Sequence, residues 1–358
     1  MTTLKDVREA IDALDDKLVD VLHERAALVL KVKELKKRDS VDVYSPERER
    51  EIFTRVRERA NEGAFPASAM EHIFTSVVSA TRSLMGTLSV VYPGPELSLG
   101  YEASLKQFGE SVQYFSSVDI RDIVRRVEKQ DAHFGLLPIE VGTSGLKFES
   151  IEAILASELA IIAEVEMRRD LSLMGTTQDL SQVRRVYADL TSFEESSLWL
   201  SANLSSVERV VCDTVADAAQ KVQQDPTSAL IGTERASEMF KLTVIARSLL
   251  KEAESYSRFL IIGPSRTKPS GHDKTSIVCT VTERSGILRD LLTPFAERDV
   301  SLLKIESKLS QGQVPSHRFF FDVLGHRDEK KVKEAIESLG AICNQVRVLG
   351  SYPIASSI

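Results

Sequence analysis

The sequence is poor in cysteine: its 358 residues contain only Cys212, Cys279 and Cys343. The three lie far apart, form no CxxC pair and have no histidine close by in the sequence, so neither a disulfide framework nor a metal site is indicated. We predict small, buried thiols in a reducing compartment and no bound metal.

Long apolar runs are also absent. The longest, such as residues 159–165, are interrupted by charge well short of the roughly 18 residues that a membrane-spanning helix needs. The charged N-terminus lacks the apolar core of a signal peptide. We therefore expect a cytoplasmic protein with no membrane partner.

Basic residues are in deficit, since 46 Lys and Arg stand against 53 Asp and Glu, a net charge of −7. Nucleic-acid-binding domains usually carry a basic excess, so we expect no nucleic-acid partner. Glycine and proline, at 17 and 11, are too few for a fibrous chain, and a hydrophobic content of 42% is typical of globular domains. The length suggests two or three of them.

Residues 1–87 have the pattern of an all-α domain of three helices. Apolar residues recur at steps of three and four from Leu4 to Leu35 without glycine or proline, which predicts one helix of roughly 30 residues. So long a helix cannot bury its apolar stripe within a segment of this size alone. We therefore expect a partner helix or a second chain to cover it, and we expect a homodimer or a higher oligomer.

Two shorter helices are predicted to follow the long one. Ser45 and Pro46 have the preferences of an N-cap and a first helical residue, and they begin a helix that ends near Ala60. A third helix is predicted from Pro66 to about Met85.

From residue 88 onward, short β-rich runs alternate with helical patterns. This alternation predicts a two-lobed α/β domain over residues 88–264. Residues 265–274 form a polar linker rich in Pro, Gly and Ser. Residues 275–358 follow the order βαββαβ of a ferredoxin-like unit. The predicted fold class is thus a multidomain combination of α and α/β units.

Charged residues converge on the seam of the helical segment. Arg25 occupies a core position of the heptad, and Lys36, eleven residues later, returns to the same face. Arg8 faces a different groove, whereas Arg48 and Glu49 begin the second helix. Four cations and one acid suit a small dianion, because guanidinium groups bind carboxylates bidentately. In the structural alternative, the aliphatic part of the Arg25 side chain lies along the apolar seam and its guanidinium stays in water at the edge of the seam.

Motifs in all three segments carry a resemblance to one family. They are YSPERE in the helical segment, VVYPGP, GLLPIEVGTSG and YSRFLIIG in the α/β segment, and SGILRDLLTPFAERD and VLGSYP in the last. In this order, and over essentially the whole chain, the sequence resembles the bifunctional chorismate mutase/prephenate dehydratases of phenylalanine biosynthesis, which end in an ACT regulatory domain. The resemblance implies chorismate and prephenate as substrates and phenylalanine as effector, without a cofactor.

For the mutase reaction, the resemblance assigns roles to five residues. Arg25, together with Arg8 of the other protomer, would grip the carboxylates of chorismate. Lys36 would donate to the ether oxygen and Glu49 would take the ring hydroxyl, with Arg48 in the same catalytic set. The reaction is pericyclic, so the protein holds a conformer and stabilises developing charge instead of supplying a nucleophile.

Three further positions are implied in substrate binding. Ser45 stands where some members of the family have Asp, and Thr81 keeps the hydroxyl of the family's Ser. Met85 replaces a Gln or Glu that donates to the ether oxygen, and a thioether cannot donate. Because the loss of such a donor costs roughly 10²–10³ in rate, we expect weakened mutase activity. The alternative role for Met85 is packing of the third helix.

The dehydratase segment departs further from the family. Ser257, in SRF, keeps the hydroxyl of the family's TRF motif and is the catalytic candidate. Leu97 replaces a loop glycine, Val141 the Asn of PIEN, and Ala188 a Ser, while Glu195 stands near an expected Gln. Expelling hydroxide needs hydrogen-bond donors. We therefore expect prephenate to accumulate, with phenylpyruvate forming no faster than without enzyme.

In the last segment, the family binds phenylalanine through two turns. The corresponding effector positions are Gly286, Ile287, Leu288, Glu306 and Ser307. Lys308-Leu309 in place of Arg-Pro loosens the second turn, and a dimerisation module without ligand is the alternative. For the whole chain, the alternatives are a catalytically impaired regulatory homologue that binds an aromatic metabolite or partner enzyme, and an altered reaction on prephenate.

Overall fold

The computed structural model describes residues 3–39, 44–142, 145–168, 170–250, 256–310 and 316–355, without the side chains of 36–39 and 310. These residues form a helical segment followed by three β-sheets. Across these ranges, no helix combines the length and the apolar character needed to cross a membrane.

The helical segment consists of α1 (Leu4–Asp39), α2 (Pro46–Ala60) and α3 (Ala67–Ser83), which confirms the three predicted helices. The prediction for Ser45 is only half right. Pro46 begins α2, but the Ser45 side chain accepts no capping hydrogen bond. The Ser45 carbonyl instead accepts from Glu49 N at 3.1 Å, so the backbone alone closes the first turn.

Helix α1 leaves its apolar stripe uncovered in the single chain. Leu14, Leu18 and Leu28 are 64%, 60% and 60% exposed. Arg25 and Lys33 connect α1 to the neighbouring α3. A continuous apolar face of this length is unusual on a protein surface that contacts only water.

The first lobe of the α/β segment contains a five-stranded sheet. Its strands are β1 (Ser89–Pro93), β2 (Gln113–Ser117), β3 (Phe134–Val141), β4 (Ala160–Arg168) and β10 (Tyr256–Gly263), in the spatial order β2-β1-β3-β10-β4. Its helices are α4 (Leu99–Phe108), α5 (Ile120–Glu128) and α6 (Phe148–Leu155). Strand β1 is parallel to β2 and β3, whereas β10 runs antiparallel to β3 and β4.

The second lobe contains another five-stranded sheet. Its strands are β5 (Ser172–Gly175), β6 (Arg185–Ala188), β7 (Glu208–Val211), β8 (Ser228–Gly232) and β9 (Thr243–Ala246), in the order β7-β6-β8-β5-β9. Its helices are α7 (Leu190–Glu195), α8 (Ser197–Asn203), α9 (Val215–Gln224) and α10 (Glu234–Phe240). The chain enters this lobe after β4 and returns before β10, so the two lobes share a double connection.

The last segment has the predicted βαββαβ order. Its elements are β11 (Asp273–Thr282), α11 (Ile287–Ala296), β12 (Leu302–Ser310), β13 (Ser316–Leu324), α12 (Lys330–Gly340) and β14 (Gln345–Pro353). The strands form an antiparallel sheet in the order β12-β13-β11-β14. Cys212 and Cys279 are buried as predicted, but Cys343 is only half-buried because it lies in the turn between α12 and β14.

Buried ion pairs join the first lobe to the last segment. Arg258 of β10 donates to Glu164 at 2.7 Å and to Asp322 of β13 at 2.6 Å. Thr267 of the polar linker is buried and donates to the Ser351 carbonyl of β14, and the linker ends two residues earlier than predicted because Asp273 begins β11. The linker is therefore packed against both domains.

Candidate active site

The first candidate site lies between α1 and α3 and centres on Arg25. The Arg25 guanidinium donates to Thr81 Oγ1 and, at 3.5 Å, to the Val77 carbonyl. Thr81 is itself fixed by donation to the Val77 carbonyl at 2.7 Å. No carboxylate of the described residues pairs with Arg25. The structure thus positions this guanidinium with neutral acceptors and leaves its charge uncompensated.

A second cation, for which no role was predicted, follows Arg25 along α1. Lys33 Nζ donates to the Leu84 carbonyl at 2.7 Å, just beyond the end of α3 and beside Met85. Lys36 is three residues further along, and residues at this spacing are neighbours on a helix surface. The Lys36 side chain lies outside the described residues, so its predicted role remains a prediction.

Arg8 is separated from this cluster by the length of the helix. It is exposed. The seventeen residues between Arg8 and Arg25 correspond to about 26 Å of helix rise. Within one chain the two guanidinium groups therefore cannot bind the same small molecule, which agrees with the expectation that Arg8 serves the partner's site.

The two charged residues at the start of α2 that were predicted for the site are both paired within the chain. Arg48 is exposed and pairs with Glu51 at 2.5 Å. Glu49 is buried and forms an ion pair with Arg82 of α3. The single chain therefore brings Arg25 together with Thr81, and Glu49 together with Arg82, on consecutive residues of α3.

Arg82 connects this site to the α/β segment, and sequence reasoning missed it. Its guanidinium also donates to the Phe108 carbonyl at the end of α4 and lies over the rings of Tyr44, at 5.4 Å, and Phe108, at 5.7 Å. Burial raises the pKa of the Glu49 carboxyl in spite of Arg82 beside it. No local sequence signal marks Arg82, because its partners come from distant parts of the chain.

The second candidate site lies at one end of the first-lobe sheet. Ser257 at the start of β10 is paired in register with Val141 at the end of β3 and is 1% exposed. The loop after β1 reaches the same end, because β1 and β3 are parallel. In that loop Leu97 is buried and has φ +67°, the left-handed conformation that a glycine adopts without strain. The loop has thus kept a glycine-like backbone while gaining an apolar side chain.

The second lobe brings its own strand ends to the cleft. Ala188 ends β6 and is buried, and Glu195 ends the following α7. Ser172, at the start of β5, is fully buried and its hydroxyl has no hydrogen-bond partner among the described residues. Thr233 Oγ1 donates across the lobes to Glu102 of α4 at 2.6 Å. Ser172 is thus a polar group of this lobe that sequence reasoning missed.

The third candidate site, for the effector, is only partly assembled in one chain. Gly286, with φ +81°, caps α11, where Ile287 begins the helix and Leu288 is exposed. Glu306 and Ser307 lie within β12 in register with β13, so the second turn that the resemblance implies is absent and the positions are in a strand. These effector positions are separated in the sheet because β13 lies between β12 and β11.

The missing turn has a physical reason. A proline at position 309 would lack the N–H needed for strand pairing, but Leu309 has one, and β12 continues to Ser310 in register with β13. Lys308 of the same strand forms an ion pair with Glu152 of the first lobe at 3.0 Å. This pair further fixes the strand against the α/β segment.

Comparison with known families assigns all three segments. The family model for chorismate mutase type II matches residues 7–86, that for prephenate dehydratase matches residues 90–267, and that for the ACT domain matches residues 275–341. The chain is 32% identical to the bifunctional chorismate mutase/prephenate dehydratase of Aquifex aeolicus, covering 99% of both chains. It is also 32% identical to the enzyme of that name from Pseudomonas aeruginosa, covering 98% of both.

Solved structures support the fold of the last two segments. The prephenate dehydratase of Arthrobacter aurescens in complex with L-Phe superposes with a TM-score of 0.65 and 24% identity, covering 75% of this chain and 90% of that one. The prephenate dehydratase of Staphylococcus aureus gives a TM-score of 0.66 at 19% identity, covering 74% and 100%. At these identities the likeness concerns the fold alone.

Proposed function

The chain belongs to the family of bifunctional chorismate mutase/prephenate dehydratases, and we propose that it converts chorismate to prephenate at the helical site. The observation that carries the proposal is the Arg25 guanidinium, which neutral acceptors hold in place without a carboxylate partner among the described residues. Such a cation attracts a substrate carboxylate at little cost in rearrangement. The similarity to these enzymes does not favour the alternative that the chain is a catalytically impaired regulatory homologue.

Catalysis at this site requires positioning and electrostatic stabilisation only. Arg25 and the partner protomer's Arg8 would hold the two carboxylates of chorismate in the diaxial conformer, and Lys36 would stabilise the charge that develops on the ether oxygen. Arg48 belongs to the same catalytic set, and Glu49 would receive the ring hydroxyl. Because Glu49 is held by Arg82, its carboxylate needs no reorganisation when substrate binds.

A homodimer is part of the proposal. The uncovered apolar stripe of α1 needs a partner, and Arg8 lies too far from Arg25 to act within its own chain. A second α1 packed along the stripe would bury its apolar side chains and would bring the partner's Arg8 guanidinium to the site. We place the protein in the cytoplasm, which agrees with its unpaired cysteines.

The dehydratase cleft is proposed to bind prephenate without accelerating its conversion to phenylpyruvate. Ser257 supplies one buried hydroxyl, whereas Val141 and Ala188 contribute only apolar surface at positions where the family has donors. Each missing donor raises the barrier to loss of hydroxide by a few kcal/mol. We therefore expect the mutase step to outpace the dehydratase step.

Phenylalanine is the proposed effector of the ACT domain. Gly286 keeps the left-handed backbone that lets N–H groups approach a carboxylate. Glu306 and Ser307 lie on the outer strand of the sheet, where a second copy of the domain could meet the first. The effector site is thus proposed to form between two chains.

The test of the mutase assignment is the variant Arg25→Ala. Wild-type protein should remove chorismate, followed by its absorbance, while the variant should lose this activity because a substrate carboxylate has lost its partner. Circular dichroism should be unchanged, since Arg25 makes no buried ion pair with a described residue. Arg59→Ala, an exposed arginine on α2, is the matched control. Equal activity in Arg25→Ala would assign Arg25 to structure alone.

A further inference from the structure

A cavity of about 360 Å³ lies between the first lobe of the α/β segment and the ACT domain. Its walls come from the residues that lead into β4, from α12 and β14, and from the linker and the turn after β13. Three arginines, Arg266, Arg327 and Arg347, line it. It lies at the opposite end of the ACT sheet from Gly286, because Arg327 follows the end of β13 that pairs with the start of β11.

The charge of the cavity is strongly positive. Arg266 and Arg327 form no side-chain hydrogen bond or ion pair with any residue in the described ranges. Arg347 donates to the carbonyls of Leu155 and Ser157 and is thereby fixed in place. Glu158, exposed at the rim, is the one acid in the lining. Three guanidinium groups and one carboxylate leave a net charge of about +2.

A buried histidine next to the cavity has one ring nitrogen without a partner. His326 is 1% exposed, and its Nδ1 accepts from Asp328 N at 3.2 Å and lies 3.4 Å from Asp328 Oδ2. Nε2 has no partner among the described residues. His326 lines a smaller pocket together with Arg266 and Arg327. A buried ring nitrogen without a hydrogen-bond partner is costly, and a polar atom of a bound ligand would remove this cost.

The walls around these donors are built tightly. A side chain at Gly350 of β14 would place its Cβ 2.1 Å from the Ile161 carbonyl of β4, so only glycine permits this approach of the two domains. Thr267 donates to the Ser351 carbonyl, and Ser351 Oγ accepts from Arg327 N at 3.1 Å. The arginines therefore project from backbone that both domains hold in place.

We propose that this cavity binds a small dianion that carries carboxylate or phosphate groups. The volume falls in the range of small-molecule sites, roughly 300–1,000 Å³. Guanidinium forks match both carboxylate and phosphate oxygens, and the net charge of the lining is complementary to two negative charges. Because the walls belong to both domains, the bound anion stabilises their contact, at a place separate from the effector positions.

The experiment titrates the full-length protein with inorganic phosphate and, separately, with succinate, by calorimetry at constant ionic strength. Saturable binding by either probe is expected, and the probe that binds more tightly identifies phosphate or carboxylate as the preferred group. Arg327→Gln and Arg266→Gln should each weaken binding by about tenfold or more, as the loss of one charge-assisted pair implies. Arg327→Lys should restore part of the affinity.

Two controls separate this site from other anion sites. Arg209→Gln removes an exposed arginine from β7 of the second lobe and should bind like wild type. Arg25→Ala removes binding of either probe at the mutase site, so the saturable binding that this variant retains belongs to the cavity. Absence of saturable binding of both probes up to roughly 10 mM, ten times a Kd of about 1 mM, would overturn the proposal. Unchanged affinity in both single glutamine variants would overturn it as well.

Discussion

Arg82 and Glu49 form a buried ion pair that joins α3 to the start of α2, with side chains only 5% and 11% exposed. The same guanidinium donates to the Phe108 carbonyl of α4. One side chain thus connects the mutase acid to the first lobe of the dehydratase domain.

Replacing Arg82 should damage both stability and mutase activity. Arg82→Met leaves the Glu49 carboxylate buried without its partner, a change that typically costs about 3–5 kcal/mol. Chorismate turnover should fall as well, because Glu49 is no longer held in position. Urea denaturation and the chorismate assay measure the two effects. Arg59→Met is the matched control on α2, and equal stability of the two variants would contradict the structural role given to Arg82.

The raised pKa of the Glu49 carboxyl predicts a pH dependence of stability. A carboxyl that binds its proton more tightly in the folded than in the unfolded state contributes stability at low pH, and this is lost as the pH rises through its folded pKa. The difference in unfolding free energy, wild type minus Glu49→Gln, should therefore decrease from pH 4 upward and then level off. A difference that increases with pH would mean that the attraction of Arg82 outweighs burial.

Met85→Gln should raise chorismate turnover. The amide restores a donor where Met85 has none, and removal of one such donor costs roughly 10²–10³ in rate in other enzymes. Steady-state kinetics should show the gain in kcat, with Met239→Gln, an exposed and remote methionine, as control. An unchanged or lower kcat would mean that the end of α3 lies away from the ether oxygen.

Charges placed on the apolar stripe of α1 should dissociate the dimer and remove mutase activity together. Leu18→Glu puts a carboxylate into the proposed seam, whereas Ala13→Glu, on the outer face of the same helix, is the control. Light scattering should show a dimer for wild type and control and a monomer for Leu18→Glu. A monomeric wild type at micromolar concentration would refute the role given to Arg8.

The sequence predicted the elements with a strong apolar pattern and missed those without one. The heptad of α1 and the βαββαβ order are confirmed. Strands β2 and β9 escaped prediction because none of their side chains is fully buried and apolar and polar residues do not alternate along them.

Site residues could be predicted only where they belong to a single local sequence motif. Arg25 stood out because a charge interrupts an apolar seam. The pairing of Glu49 with Arg82 depends on contacts between distant segments, which no local pattern records. Likewise, strand pairing replaces the turn expected at Glu306, because Leu309 has the backbone N–H that a proline would lack.

The most direct test of the account supplies chorismate to the purified protein and follows prephenate and phenylpyruvate separately over time. The account predicts that chorismate disappears, that prephenate accumulates, and that phenylpyruvate forms no faster than in a control without enzyme at neutral pH. Enzyme-dependent formation of phenylpyruvate that is lost in Ser257→Ala would contradict it, and would show that other groups of the cleft, such as the Ser172 hydroxyl, replace the missing donors.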